Sequence, residues 1–135
     1  MGARMHALIC GLAMLVAGAG LQAADPIRVG LVDETTGPQA EAGVLTLHGV
    51  RLALDEINAA GGVLGRPLEL IVEDNQSTNP GSVLAYAKLV DQKVVAVIGP
   101  LRSTQVQAVS PTIAKAKLPA IIGGSDPTLT HVNNP

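Results

Sequence analysis

Apolar residues follow two rhythms along this chain. Short runs rich in Val, Ile and Leu read as strands: Ile27 to Val32 (IRVGLV), Leu68 to Val72, Val94 to Ile98 and Pro119 to Ile122. Between the first two, Val44, Leu47, Val50, Leu54 and Ile57 recur every three or four residues. That spacing predicts a helix from about Val44 to Ala60 with one face on a sheet, while Arg51, Asp55, Glu56 and Asn58 take the other side. Gly61-Gly62 suits its left-handed exit. Asn79-Pro80 reads as an N-cap followed by proline at the first helical position. The helix it opens runs to about Gln92 and buries Val83, Ala87 and Val90. Ser103 to Ala116 is also helical in pattern, but Pro111 removes a donor in its middle. A kink is expected there, or a restart with Ser110 as a new cap.

Alternating strands and helices imply βαβ units. The predicted class is α/β: a parallel sheet with helices on both faces. With strand order 2-1-3-4, three loops meet at one rim: Asp33–Gly43, Gly99–Thr104 and Gly123–Thr130. The stretch Val94 to Gln105 (VVAVIGPLRSTQ) organises the rest. Its first five residues carry no charge and are mostly β-branched, as a strand covered on both faces requires. Gly99-Pro100 stops that strand, and Ser103 is placed to cap the next helix. A hydroxyl and free N–H groups at the carboxyl end of a strand favour a carboxylate or another anion.

The first residues are expected to lie outside the fold. Arg4 gives a positive start, Leu8 to Val16 is a short apolar run, and small residues follow in AGAGLQAA. This is the layout of a secretory signal peptide, residues 1–23, with cleavage after Ala23 preferred and Ala19 or Ala24 as alternatives. An uncleaved anchor helix is the competing reading, disfavoured by the shortness of the run. Residues 24–135 then form the binding portion. Cys10, the single cysteine, lies inside the leader, and Ile9 before it does not suit a lipidation site. The mature chain therefore uses no disulfide, although an exported compartment would permit one. The formal net charge is −2, and removing the leader takes away one positive charge. An acidic chain with one Tyr and no Phe or Trp is a poor nucleic-acid binder.

Enzyme motifs are absent. No GxGxxG follows the first strand, GPLRST lacks the lysine and second glycine of a phosphate loop, and no GxSxG elbow occurs. No His pair has zinc-ligand spacing, and no metal or cofactor is expected. Asp33 and Glu34 read as solvated loop charges, Asp74 as a structural residue away from the rim, and His48 as a surface or packing residue.

The order GPQAEAG, EINAAGGVLGRPLEL, EDNQSTNP, VVAVIGPLRSTQ and PAIIGGSDPTLT resembles the periplasmic leucine/isoleucine/valine-binding protein family. These are the type I solute-binding proteins of ABC transporters, and the resemblance covers about residues 27–135. It implies part of the first lobe of a two-lobed protein that closes on its ligand. The end at Asn134-Pro135 then reads as a truncated gene or a fragment. It implies a periplasmic, non-enzymatic protein, expected as a monomer. Its partners would be an amino acid or small carboxylate and a membrane permease. An exported ligand-sensing domain of a receptor or regulator is the alternative, to be told apart by the continuation of the chain.

Carried over from the family, Ser103 and Thr104 hold the ligand carboxylate, and Ser125 and Asp126 its ammonium or a polar substituent. Gln39, with Thr35 and Thr36, is a polar candidate in the first loop. The family's stacking aromatic residue is replaced by Ala42, which leaves room for a bulkier or more polar ligand. Arg102 is an addition to the family's pattern. Facing inward, it suits a second carboxylate or an aromatic carboxylate; facing outward, it means little.

Overall fold

The computed structural model describes residues 25–131. The proposed signal peptide lies outside them. Four parallel strands form one sheet: β1 (Ile27–Asp33), β2 (Leu68–Asp74), β3 (Ala96–Ile98) and β4 (Ala120–Ile121), in the order β2-β1-β3-β4. This is the predicted order. Three helices alternate with the strands: α1 (Ala40–Ala59), α2 (Asn79–Asp91) and α3 (Ser103–Ala116), and a 3-10 turn follows over Pro127–His131.

The core lies between the sheet and the α2–α3 pair. Val32 of β1 and Val97 of β3 point into it and meet Ala85, Tyr86, Leu89, Val109 and Ile113. Gly30 lies on the same side, and a Cβ there would come within 2.7 Å of Leu89 Cδ1, so the missing side chain lets α2 approach. The expected stripe of α2 shifts. The fully buried residues are Ser82, Ala85, Tyr86 and Leu89, while Val83 and Val90 pack only partly. Because α2 packs on both the sheet and α3, its buried face widens to take in Ser82 and Ala85. The Ser82 hydroxyl can be buried there since it donates to the Thr78 carbonyl at 2.8 Å.

On the opposite face α1 covers β1 and β2, so helices do flank both sides of the sheet. The helix begins at Ala40 rather than near Val44, which shortens the preceding loop. A Cβ on Gly43 would come within 2.3 Å of the Glu34 carbonyl oxygen, so only glycine lets the first turn sit on the end of β1. Leu54 and Gly43 are its fully buried residues; Val44 and Ile57 of the expected stripe stay largely exposed. The expectation that the third strand is covered on both faces fails. Val97 is buried, but on the other face Ile98 is only half-buried and its neighbour Ile121 on β4 is 74% exposed, since α1 packs on β1 and β2.

Two smaller corrections concern helix ends. Thr78, not Asn79, caps α2, its hydroxyl accepting from Gly81 N–H at 3.0 Å. The third helix continues through Pro111 without a restart. The Ser110 hydroxyl does not cap; it donates back to the Val106 carbonyl at 2.8 Å.

Candidate functional site: the rim at the carboxyl ends of the strands

Parallel strands deliver their connecting loops to the same side, and here three of them meet. The Gly99-Pro100 peptide is cis and lies between β3 and α3. Arg102 is the N-cap residue of α3 by backbone geometry, and no side chain caps that helix. Ser103, the predicted cap, is instead its first helical residue. Its Oγ accepts from the backbone N–H groups of Ser125 and Asp126, each at 3.1 Å. A side chain at Gly124 would put a Cβ within 2.4 Å of Leu129 and 3.2 Å of Ser103 Cα, so glycine permits this closure. Ser103, Ser125 and Asp126 are therefore brought together, with Thr104 exposed beside them.

Asp126 has its own local partners. One carboxylate oxygen accepts from Thr128 N–H at 2.8 Å and from the Thr128 hydroxyl at 2.7 Å; the other accepts from Gln107 Nε2 at 3.3 Å. The Thr128 hydrogen bonds hold this carboxyl below its ordinary range. The group immediately precedes the 3-10 turn and is held there as an anion.

The other half of the rim is built on a buried polar network. Arg102 Nε donates to Glu34 Oε1 at 2.7 Å, and an Nη of the same guanidinium donates to Gln39 Oε1 at 2.6 Å. Gln105 Nε2 donates to the same Glu34 oxygen at 2.7 Å, and Asn75 Nδ2 donates to Gln105 Oε1 at 3.2 Å. Glu34, Gln105 and Asn75 are all at most 2% exposed. Asp33 and Glu34 are therefore not solvated loop charges: β1 runs on through Asp33, and both side chains are enclosed. Asp33 Oδ2 is buried without a hydrogen-bond partner among the described residues. Burial raises the pKa of this carboxyl above the ordinary value, and the nearby Glu34 and Asp74 charges add to the effect.

Asp74 acts on the same rim rather than away from it. It accepts from Thr36 N–H at 3.1 Å, from the Thr36 hydroxyl and from Gln76 N–H, which ties the first loop to the turn after β2. Burial by itself would raise its pKa, but these hydrogen bonds outweigh it and the result is a lowered value. Ser77 reinforces the tie, its hydroxyl donating to the Thr36 carbonyl and accepting from Gln39 N–H. Beside Gln39 is a depression of about 240 Å³ lined by Pro38, Gln39, Glu41, Ala42 and Leu45.

All six predicted site residues thus lie at one rim, linked as Gln39–Arg102 and Ser103–Ser125–Asp126. Sequence reasoning misses Glu34, Gln105 and Asn75. A polar residue just after a strand looks like loop, and nothing local marks a glutamine on a helix as its buried partner.

The chain matches a family model described as periplasmic binding protein over residues 26–134. It is 33% identical over 126 residues to the leucine-specific-binding protein of Salmonella typhimurium, covering 92% of this chain and 34% of that protein. It is 32% identical over 104 residues to the leucine-, isoleucine-, valine-, threonine- and alanine-binding protein of Pseudomonas aeruginosa, covering 77% of this chain and 28% of that one. Among solved structures it resembles the branched-chain amino acid transporter substrate binding protein of Streptococcus pneumoniae in complex with isoleucine. The TM-score is 0.75 at 35% identity, over 78% of this chain and 31% of that one. The chain spans about a third of the length of the relatives it matches.

Proposed function

The chain belongs to the periplasmic binding protein family and has the fold of a partial N-terminal lobe of the type I proteins, and from this we propose that the full-length protein is the solute-binding component of an ABC transporter. In this reading it works outside the cytoplasm, exported by its N-terminal signal peptide, and hands its ligand to a membrane permease without performing chemistry. The ligand is an amino acid of branched-chain type or a related small carboxylate or amide. The observation that carries the reading is the junction of Ser103 with the loop at Ser125 and Asp126, at the carboxyl ends of parallel strands.

Ser103 Oγ already accepts two backbone N–H groups, so its own proton is left to donate. Together with the Thr104 hydroxyl and the first-turn N–H groups of α3, it would hold the ligand's carboxylate, which the helix dipole also favours. Ser125 and the Asp126 carboxylate would receive the ammonium or a polar substituent. The open space at Ala42 would accommodate part of the ligand. Lobes that close on the ligand supply the second wall.

Calorimetry on the full-length protein with L-leucine, L-isoleucine, L-valine and small aliphatic carboxylates tests this. Saturable one-to-one binding is expected, and Ser103→Ala with Thr104→Val should weaken it by about 1–3 kcal/mol. Absence of binding to every one of these, or unchanged affinity in the double variant, contradicts the proposal.

A further inference from the structure

We propose that Glu34 sets the charge selectivity of the crevice by neutralising Arg102, so that the site favours uncharged ligand side chains over a second carboxylate. This rests on the solute-binding reading above and sharpens it to a ligand class. An arginine at the rim would by itself recruit an additional anionic group. In this fold the guanidinium is already committed. Its Nε lies 2.7 Å from Glu34 Oε1, and an Nη reaches Gln39 Oε1 at 2.6 Å. The carboxylate cannot turn away, because the same oxygen accepts from Gln105 Nε2 at 2.7 Å and Gln105 is itself held by Asn75.

The asymmetry of burial gives the pair its role. The Glu34 side chain is 1% exposed, whereas that of Arg102 is 41% exposed. Only the cation reaches the rim; its counter-charge is fixed behind it, and the pair presents N–H donors without net positive charge. Such donors suit a neutral acceptor, an amide or a hydroxyl. A ligand's second carboxylate gains little net attraction from a pair whose charge is already neutralised. Glu34 acts through Arg102 and is a positioning residue.

The test is calorimetry on the full-length protein with L-leucine, L-glutamate and L-lysine as probes, for the wild type, Glu34→Gln, Arg102→Gln and Glu34→Gln/Arg102→Met. The amide that Glu34→Gln introduces can still accept from Gln105 while removing the charge. Glu34→Gln is expected to raise the affinity for L-glutamate relative to L-leucine at least tenfold, and Arg102→Met in the same protein should abolish that gain. Arg102→Gln instead uncovers the carboxylate and should raise L-lysine relative to L-leucine about tenfold. It also keeps the proposal testable if Glu34→Gln fails to fold. Wild-type binding to L-leucine with all ratios unchanged overturns this inference and leaves the solute-binding reading standing. A gain for L-glutamate that survives Arg102→Met overturns it as well. Wild type that binds no probe removes the amino-acid reading and this inference with it.

Discussion

The two halves of the rim are joined by different chemistry. Between the loops that follow β3 and β4, one neutral hydroxyl, Ser103 Oγ, takes two backbone N–H groups at 3.1 Å. Between the loops that follow β1 and β3, a buried carboxylate, a guanidinium and three amides form a chain from Asn75 to Gln39. A hydroxyl seam is cheap to assemble and leaves a proton for a ligand. A buried ionic seam orders side chains on three separate elements, and each member depends on the others. In the proposed reading, recognition falls to the Ser103 side and control of charge to the Glu34 side.

Removing Glu34 should break the contrast most severely. Glu34→Ala leaves the Arg102 charge and the Gln105 amide without their shared acceptor. We expect a loss of about 2–4 kcal/mol in urea unfolding of the full-length protein, below the worst buried-pair cases because Arg102 reaches solvent. A loss below ~0.5 kcal/mol, within the range of ordinary surface substitutions, would mean that the network is not stabilising. Ser103→Ala takes one acceptor from two N–H groups that water can partly replace, so about 1 kcal/mol is expected. A loss equal to that of Glu34→Ala would erase the proposed difference between the seams.

Asp33 offers a sharper probe through pH. Its folded pKa is raised by burial, so its favourable contribution is complete below the ordinary carboxylate value and disappears as pH rises through the folded one. Asp33→Asn removes that loss. The variant should be more stable than wild type at neutral pH by about 1 kcal/mol, with the advantage shrinking toward pH ~4. A constant difference across this range would show that Asp33 does not titrate abnormally. Asp126 has the opposite sign: its lowered pKa gives a contribution present above the ordinary carboxylate value and lost as acid protonates the folded group. Since it is exposed, Asp126→Asn should produce the smallest change of the series, seen only as a flattening of the acid limb of stability.

The four strands and three helices are legible in the sequence, because each rests on periodicity or on turn residues; the strand order, and with it the convergence of the loops, follows from the doubly wound fold assumed for them. Val97 and Val32 announce themselves as core. What stays hidden depends on distant partners. Glu34 can be buried only because Gln105 and Arg102, 71 and 68 residues away, meet it, and no local pattern records that pairing. Ser82 does not stand out on α2, because an apolar stripe does not reveal where a second helix will press. The Ser103 hydroxyl reads as a cap for its own helix, yet it serves a loop 22 residues further on. Its role as a hydrogen-bonding group is visible in the sequence; tertiary geometry chooses the partner.

The most direct measurement is a crystal structure of the full-length protein with a bound amino acid identified by calorimetry. The account predicts the ligand's carboxylate within hydrogen-bond distance of Ser103 or Thr104, and its remaining polar group beside Ser125 or Asp126. A ligand seated away from this rim, with Ser103 touching only the backbone of its own chain, would contradict it.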